Sequence, residues 1–119
     1  MKTLYQKCPL FEETLVRHGA KVMRVFEEFL KIKDVNAMQQ FGSKDYPFMG
    51  PSPLGQHKPR LMHAGMTYDI SLIYMITGRD PHVIKLIGFF THDELGTGQP
   101  ARPKSMQRFV QRVGSQKFA

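Results

Sequence analysis

Five histidines, His18, His57, His63, His82 and His92, are the side chains in this 119-residue chain best suited to move protons near neutral pH. Three of them fall where a shared site is possible. His57 lies in a stretch punctuated by Gly50, Pro51, Pro53, Gly55 and Pro59. His63 sits on a short strand expected over Arg60–Ala64, and His92 follows a strand expected over His82–Phe90. Asp69 opens the strongest strand pattern of the chain, Tyr68–Thr77 (YDISLIYMIT). An antiparallel meander of these three strands gathers His63, Asp69 and His92 at one sheet edge. Two imidazoles with a carboxylate make a general acid–base set. Lys58 and Arg60, close by in sequence, are suited to steady a phosphate charge. The competing reading is three unrelated surface residues. His18, beside Gly19 near an expected helix end, and His82, in the turn after Pro81, read as structural.

Other chemistries find little support. No HxH or HxxxH pair is present, so no metal is expected. GxGxxG, P-loop, HExxH and GxSxG patterns are absent, and no cofactor is implied. Cys8, the single cysteine, excludes an internal disulfide framework, reads as a packed apolar side chain, and suits a reducing compartment such as the cytoplasm. No membrane association is expected: the strongest apolar run, Ile70–Thr77, is far short of the ~18 residues of a spanning helix. Lys7, Glu12 and Glu13 interrupt any signal-peptide core.

Charge is distributed unevenly. The formal net charge is +7, and residues 101–119 hold Arg102, Lys104, Arg108, Arg112 and Lys117 with no acid. Residues 51–100, which carry most of the candidate site, are formally neutral. Such a basic cluster draws polyanions by counterion release, or touches an acidic partner protein.

The elements that must position these residues follow from periodicity. Lys2–Lys7 reads as a short edge strand. Leu10–Lys33 repeats at helical spacing, with Leu15, Val22, Val25, Phe26, Phe29 and Leu30 on one stripe. Gly19 inside it marks a kink or a break into a helical hairpin. Val35–Phe41 adds a turn or two, and Gly42 ends it. Ser43–Pro59 reads as a long, functional loop, with Tyr46 and Phe48 placed to stack on bases or to pin the loop. The unbroken apolar runs at Tyr68–Thr77 and His82–Phe90 mark strands that are central or covered on both faces. Pro103–Val113 reads as a last helix with Lys104, Arg108 and Arg112 in one basic stripe. The fold class is α+β: an N-terminal helical hairpin packed on a small antiparallel sheet, with a C-terminal basic helix or tail.

The segment His63–Gly96, HAGMTYDISLIYMITGRDPHVIKLIGFFTHDELG, resembles the C-terminal half of the small RelE/ParE-type toxins, in particular the YafQ-like mRNA interferases. Pro53-Leu54, His63, Asp69, Leu72-Ile73-Tyr74 and Thr91-His92 follow that family's order of features. The resemblance spans residues 1–96 as a RelE-like domain and leaves 97–119 as a basic extension. It implies a metal-independent endoribonuclease that cuts mRNA on the ribosome, with a cognate antitoxin as protein partner. A base takes the ribose 2′-OH proton, and an acid protonates the leaving 5′-oxygen. His63 and Asp69 match base or orienting positions, and His92 matches the acid. Two positions depart from the pattern. A histidine expected just before Pro-Leu is Ser52, with His57 nearby. An arginine expected before the Thr-His pair is Gly88, leaving Lys58, Arg60 or Lys85 to supply the charge. The alternatives are a non-catalytic protein of the same fold that inhibits a host target such as gyrase, and an RNA-binding module.

Overall fold

A computed structural model describes residues 2–48 and 60–119. Strand β1 (Leu4–Lys7) leads into helix α1 (Pro9–Val35), which Pro9 opens at a position that needs no N–H partner. Strands β2 (Asp45–Pro47), β3 (Met62–Gly65), β4 (Ile70–Thr77) and β5 (Val83–Thr91) follow, then the short helix α2 (His92–Leu95) and helix α3 (Pro103–Gly114).

The expected helical hairpin is a single 27-residue helix. Gly19 does not break α1. A glycine inside a helix costs about 1 kcal/mol relative to alanine, and the buried stripe of Leu10, Phe11, Val22, Phe26 and Phe29 is held against the sheet on both sides of it. Burial of a large apolar side chain is worth roughly 1.5–3 kcal/mol, so one glycine cannot win. His18 therefore lies in mid-helix, and the helix-end argument for it does not apply. The extra turn expected over Val35–Phe41 is not helical; the chain leaves α1 at Asn36.

The sheet is also different from a pure antiparallel meander. Its order is β1-β5-β4-β3-β2, and β1 runs parallel to β5 while the other pairs are antiparallel. The long helix between β1 and the later strands makes this possible, because a parallel neighbour needs a crossover connection. Strand β2 lies within the stretch expected to be a loop.

Both faces of the sheet are covered. Adjacent strand residues point to opposite faces. Phe89 meets Phe11 and Phe26 of α1, at ring-centroid distances of 5.5 and 5.2 Å. Phe90 meets Phe109 of α3 at 4.8 Å. Phe48 stands edge-on to Phe109 at 5.7 Å, so it pins the chain instead of offering a stacking platform. Past α3, the tail returns to β1: Lys7 and Ala119 exchange backbone hydrogen bonds of 3.2 and 3.0 Å, and Leu10 N–H donates to Gln116 Oε1. Residues 97–119 thus pack with the rest of the chain through Phe109 and Val113.

One polar knot joins the two halves. Lys33, only 1% exposed, points its ammonium at Asp45 Oδ2 (2.9 Å) and at the Gln39 carbonyl. Asp45 also accepts from Phe41 N–H (2.7 Å) and from the Tyr74 hydroxyl. The ammonium lies 5.4 Å from the ring centroids of both Phe29 and Tyr74. Removing one member of a buried pair leaves an uncompensated charge, at a cost of about 3–5 kcal/mol. Lys33→Met is expected to lower unfolding stability by about that amount in urea titration, whereas Lys31→Met, on the exposed face of α1, should leave it within about 0.5 kcal/mol.

Candidate functional site

The register of β4 and β5 builds the exposed part of the site. Ile70 pairs with Thr91, so Asp69 and His92 are the next residues outward from the last pair. Asp69 Oδ1 lies 3.2 Å from His92 Nδ1 and accepts weakly from the His92 backbone N–H at 3.4 Å. Both side chains face solvent, at 42% exposure for His92 and 56% for Asp69. The carboxylate thus stands beside Nδ1 of His92, a contact that becomes an ion pair when the imidazole is protonated. Helix α2 starts at His92 and is fixed by a capping box. Thr91 Oγ1 accepts from Glu94 N–H, and Glu94 Oε1 accepts from Thr91 N–H. Glu94 also holds Arg17 (2.5 Å) and His18 Nε2 (3.1 Å) of α1. His18 therefore anchors α2 to α1, and His82 bonds the Gly78 carbonyl within its own turn at 2.8 Å, so both are structural.

His63 lies deeper, at 9% exposure. Its Nδ1 is 3.2 Å from the Lys44 carbonyl, which can only accept, so Nδ1 carries the proton. Nε2 then accepts from the Ser71 hydroxyl at 2.7 Å. The ring stacks on Tyr46 with centroids 4.7 Å apart. Burial pushes the His63 pKa below the ordinary 6.5, against the opposing pull of the Lys44 carbonyl; the nearby His92 pushes it further down. The pairing of Asp69 with His92 follows the expected meander, but His63 makes its hydrogen bonds to Lys44 and Ser71 instead. Ser71 is a polar residue inside an otherwise apolar strand, and that was the signal for its role.

The basic residues divide by position. Arg102 Nε is 3.4 Å from Asp93, the neighbour of His92. From there two shallow depressions run along α3: Arg102, Lys104, Ser105 and Arg108 line one, and Ser105, Arg108 and Arg112 with Phe90 and Glu94 line the other. Lys104 and Arg108 are exposed, and Arg112 is tied to Glu13 at 2.8 Å. Lys85 is elsewhere. It sits near the other end of β5, over the Phe118 ring, about 20 Å from His92 by strand rise. Arg60 likewise lies at the Ile76 end of β4. His57, Lys58 and Ser52 fall outside the described residues. Among the described residues no group of three or more His, Cys, Asp or Glu side chains could hold a metal ion, and no helix is long and apolar enough to cross a membrane.

Gly88 has no room for a side chain. Its φ is +154°, and a Cβ there would stand 2.7 Å from Thr14 Oγ1 and 3.0 Å from the Phe90 ring. Thr14 Oγ1 cannot yield: it accepts from Phe89 N–H and donates to the Phe11 carbonyl, stitching α1 to β5. Gly88→Arg is therefore expected to lower the thermal midpoint by several degrees; a variant that melts like the parent would contradict this.

The His63 environment also makes a pH prediction. The unfolded chain protonates this imidazole below about 6.5, while the folded chain resists. Below that pH the unfolded state binds more protons, so stability falls as pH falls. Urea unfolding at pH 5.5 against pH 7.5 should show that loss, and His63→Gln should make the two values converge.

Comparison with protein-family models, with the curated proteins and with solved structures finds no match to this chain.

Proposed function

We propose that the chain is a metal-independent endoribonuclease acting on mRNA, with the ribosome as its setting, and that His92 and Asp69 carry its proton chemistry. The observation that supports this most is the solvent-facing Asp69–His92 pair beside a basic groove on α3. Lys104 and Arg108 hold the phosphate backbone, with Arg102 between them and His92. The ribose 2′-oxygen attacks the adjacent phosphorus, the P–O5′ bond breaks, and His92 Nε2 delivers the proton to the 5′-oxygen, leaving a 2′,3′-cyclic phosphate and a 5′-hydroxyl. Asp69 stabilises the imidazolium before the transfer. Neutral His63 can serve as the base once its Nε2 exchanges the Ser71 hydroxyl for the ribose 2′-OH. A ribosome setting places the protein in the cytoplasm, and a cognate antitoxin would cover the basic groove.

The buried, doubly bonded state of His63 and the closed space at Gly88 favour a second reading, a non-catalytic protein that binds RNA or inhibits a host protein such as gyrase.

The two readings separate in one experiment. Purified chain is incubated with translating ribosomes, and cleavage is read by primer extension. His92→Ala should lower the rate by about 100-fold or more and Asp69→Asn by less. If His92→Ala cuts like the parent, or the parent does not cut, the nuclease reading fails. RNA binding that survives His92→Ala, while Lys104→Glu with Arg108→Glu flattens its salt dependence, then supports the binding module.

A further inference from the structure

A cavity of about 470 Å³ opens at the far end of the sheet from His92, beyond the C-terminal turn of α1. It is independent of the proposed RNA chemistry. Its size lies in the range of small-molecule sites. Met38, Met62 and Ile76 supply apolar wall, and Lys33, Asp45 and Tyr74 close it from the buried side. Those three are hydrogen-bonded to one another and to the backbone, so that side is rigid before any ligand arrives.

Charge selects the occupant. Lys33 and Asp45 neutralise each other at 2.9 Å. Among the described residues that line the cavity, Arg60 is then the one whose charge is not cancelled from within the lining, and it is exposed. A guanidinium at the opening of a mostly apolar cavity is matched by one anionic group on an apolar body. A dianion gains no second cation there, and a cation meets Arg60 as a like charge. We propose that this cavity is a binding site for a small amphipathic monoanion, an aliphatic or aromatic carboxylate whose body lies on Met38, Met62 and Ile76 and whose carboxylate meets Arg60.

Octanoate is the probe, with 1-octanol as its neutral counterpart. Isothermal titration of the full chain should show saturable one-to-one binding of octanoate and at least about tenfold weaker binding of octanol. Methyl signals of Met38 and Met62 should shift on titration while those of Met106, on α3, stay still. Arg60→Gln should weaken octanoate at least about tenfold and leave octanol unchanged. Met38 is 64% exposed, so Met38→Trp can fill the opening without disturbing the core, and it should abolish binding of both. Thermal midpoints equal to the parent's show that each variant is folded. Absence of saturable octanoate binding overturns the proposal. So does equal affinity for octanol, or an Arg60→Gln or Met38→Trp chain that binds octanoate like the parent.

Discussion

The buried Lys33–Asp45 pair is the constraint on which the rest of the molecule depends. Taking two charges out of water costs several kcal/mol per ion, and attraction alone seldom compensates. Here the cost is offset by saturation. The Asp45 carboxylate accepts from an ammonium, a backbone N–H and a phenol, and the ammonium also reaches a carbonyl. Such a set tolerates only one path for residues 36–44. It ties the end of α1 to β2 at one edge of the sheet and to Tyr74 on β4. Desolvation also raises the Tyr74 pKa, together with the adjacent Asp45 carboxylate, so the phenol stays a proton donor.

The consequences reach the candidate site by a short route. Once Asp45 is held, the neighbouring Lys44 carbonyl is held with it. That carbonyl receives both Gly65 N–H and His63 Nδ1–H. A buried ion pair on one side of the strand thereby sets the tautomer of a histidine that faces elsewhere. The tail contributes at the other end: α3 covers Phe90, aligns Lys104 and Arg108 outside it, and is steadied by Arg112 on Glu13. The basic excess in the last residues is thus carried on a packed helix, which fixes where its charges stand relative to His92.

Much of this was legible in the residues. Strands β3, β4 and β5 lie within about two residues of the expected limits, because the apolar runs of β4 and β5 admit few alternatives. The neighbourhood of Asp69 and His92 followed from the meander, since adjacent strand ends must meet. Gly19 points to a break only locally, because helix propensity takes no account of the buried stripe that packs on both sides of it. Nothing local distinguishes Lys33, which is buried, from Lys31, which is exposed.

Composition and periodicity alone determine that this is an α+β chain with an amphipathic helical stretch near its N-terminus, a core of β4 and β5 covered on both faces, and a basic helix at its end. Those features rest on interactions repeated every few residues, and such repetition is visible in the order of the side chains. Tertiary structure decides the continuity of α1 through Gly19, the parallel pairing of β1 with β5, the burial of Lys33 with Asp45, the withdrawal of His63 to Ser71, and the refusal of a side chain at Gly88. Each of these depends on atoms brought together from distant parts of the chain, and burial then changes the energy of a charge or a hydrogen bond by more than any local preference can.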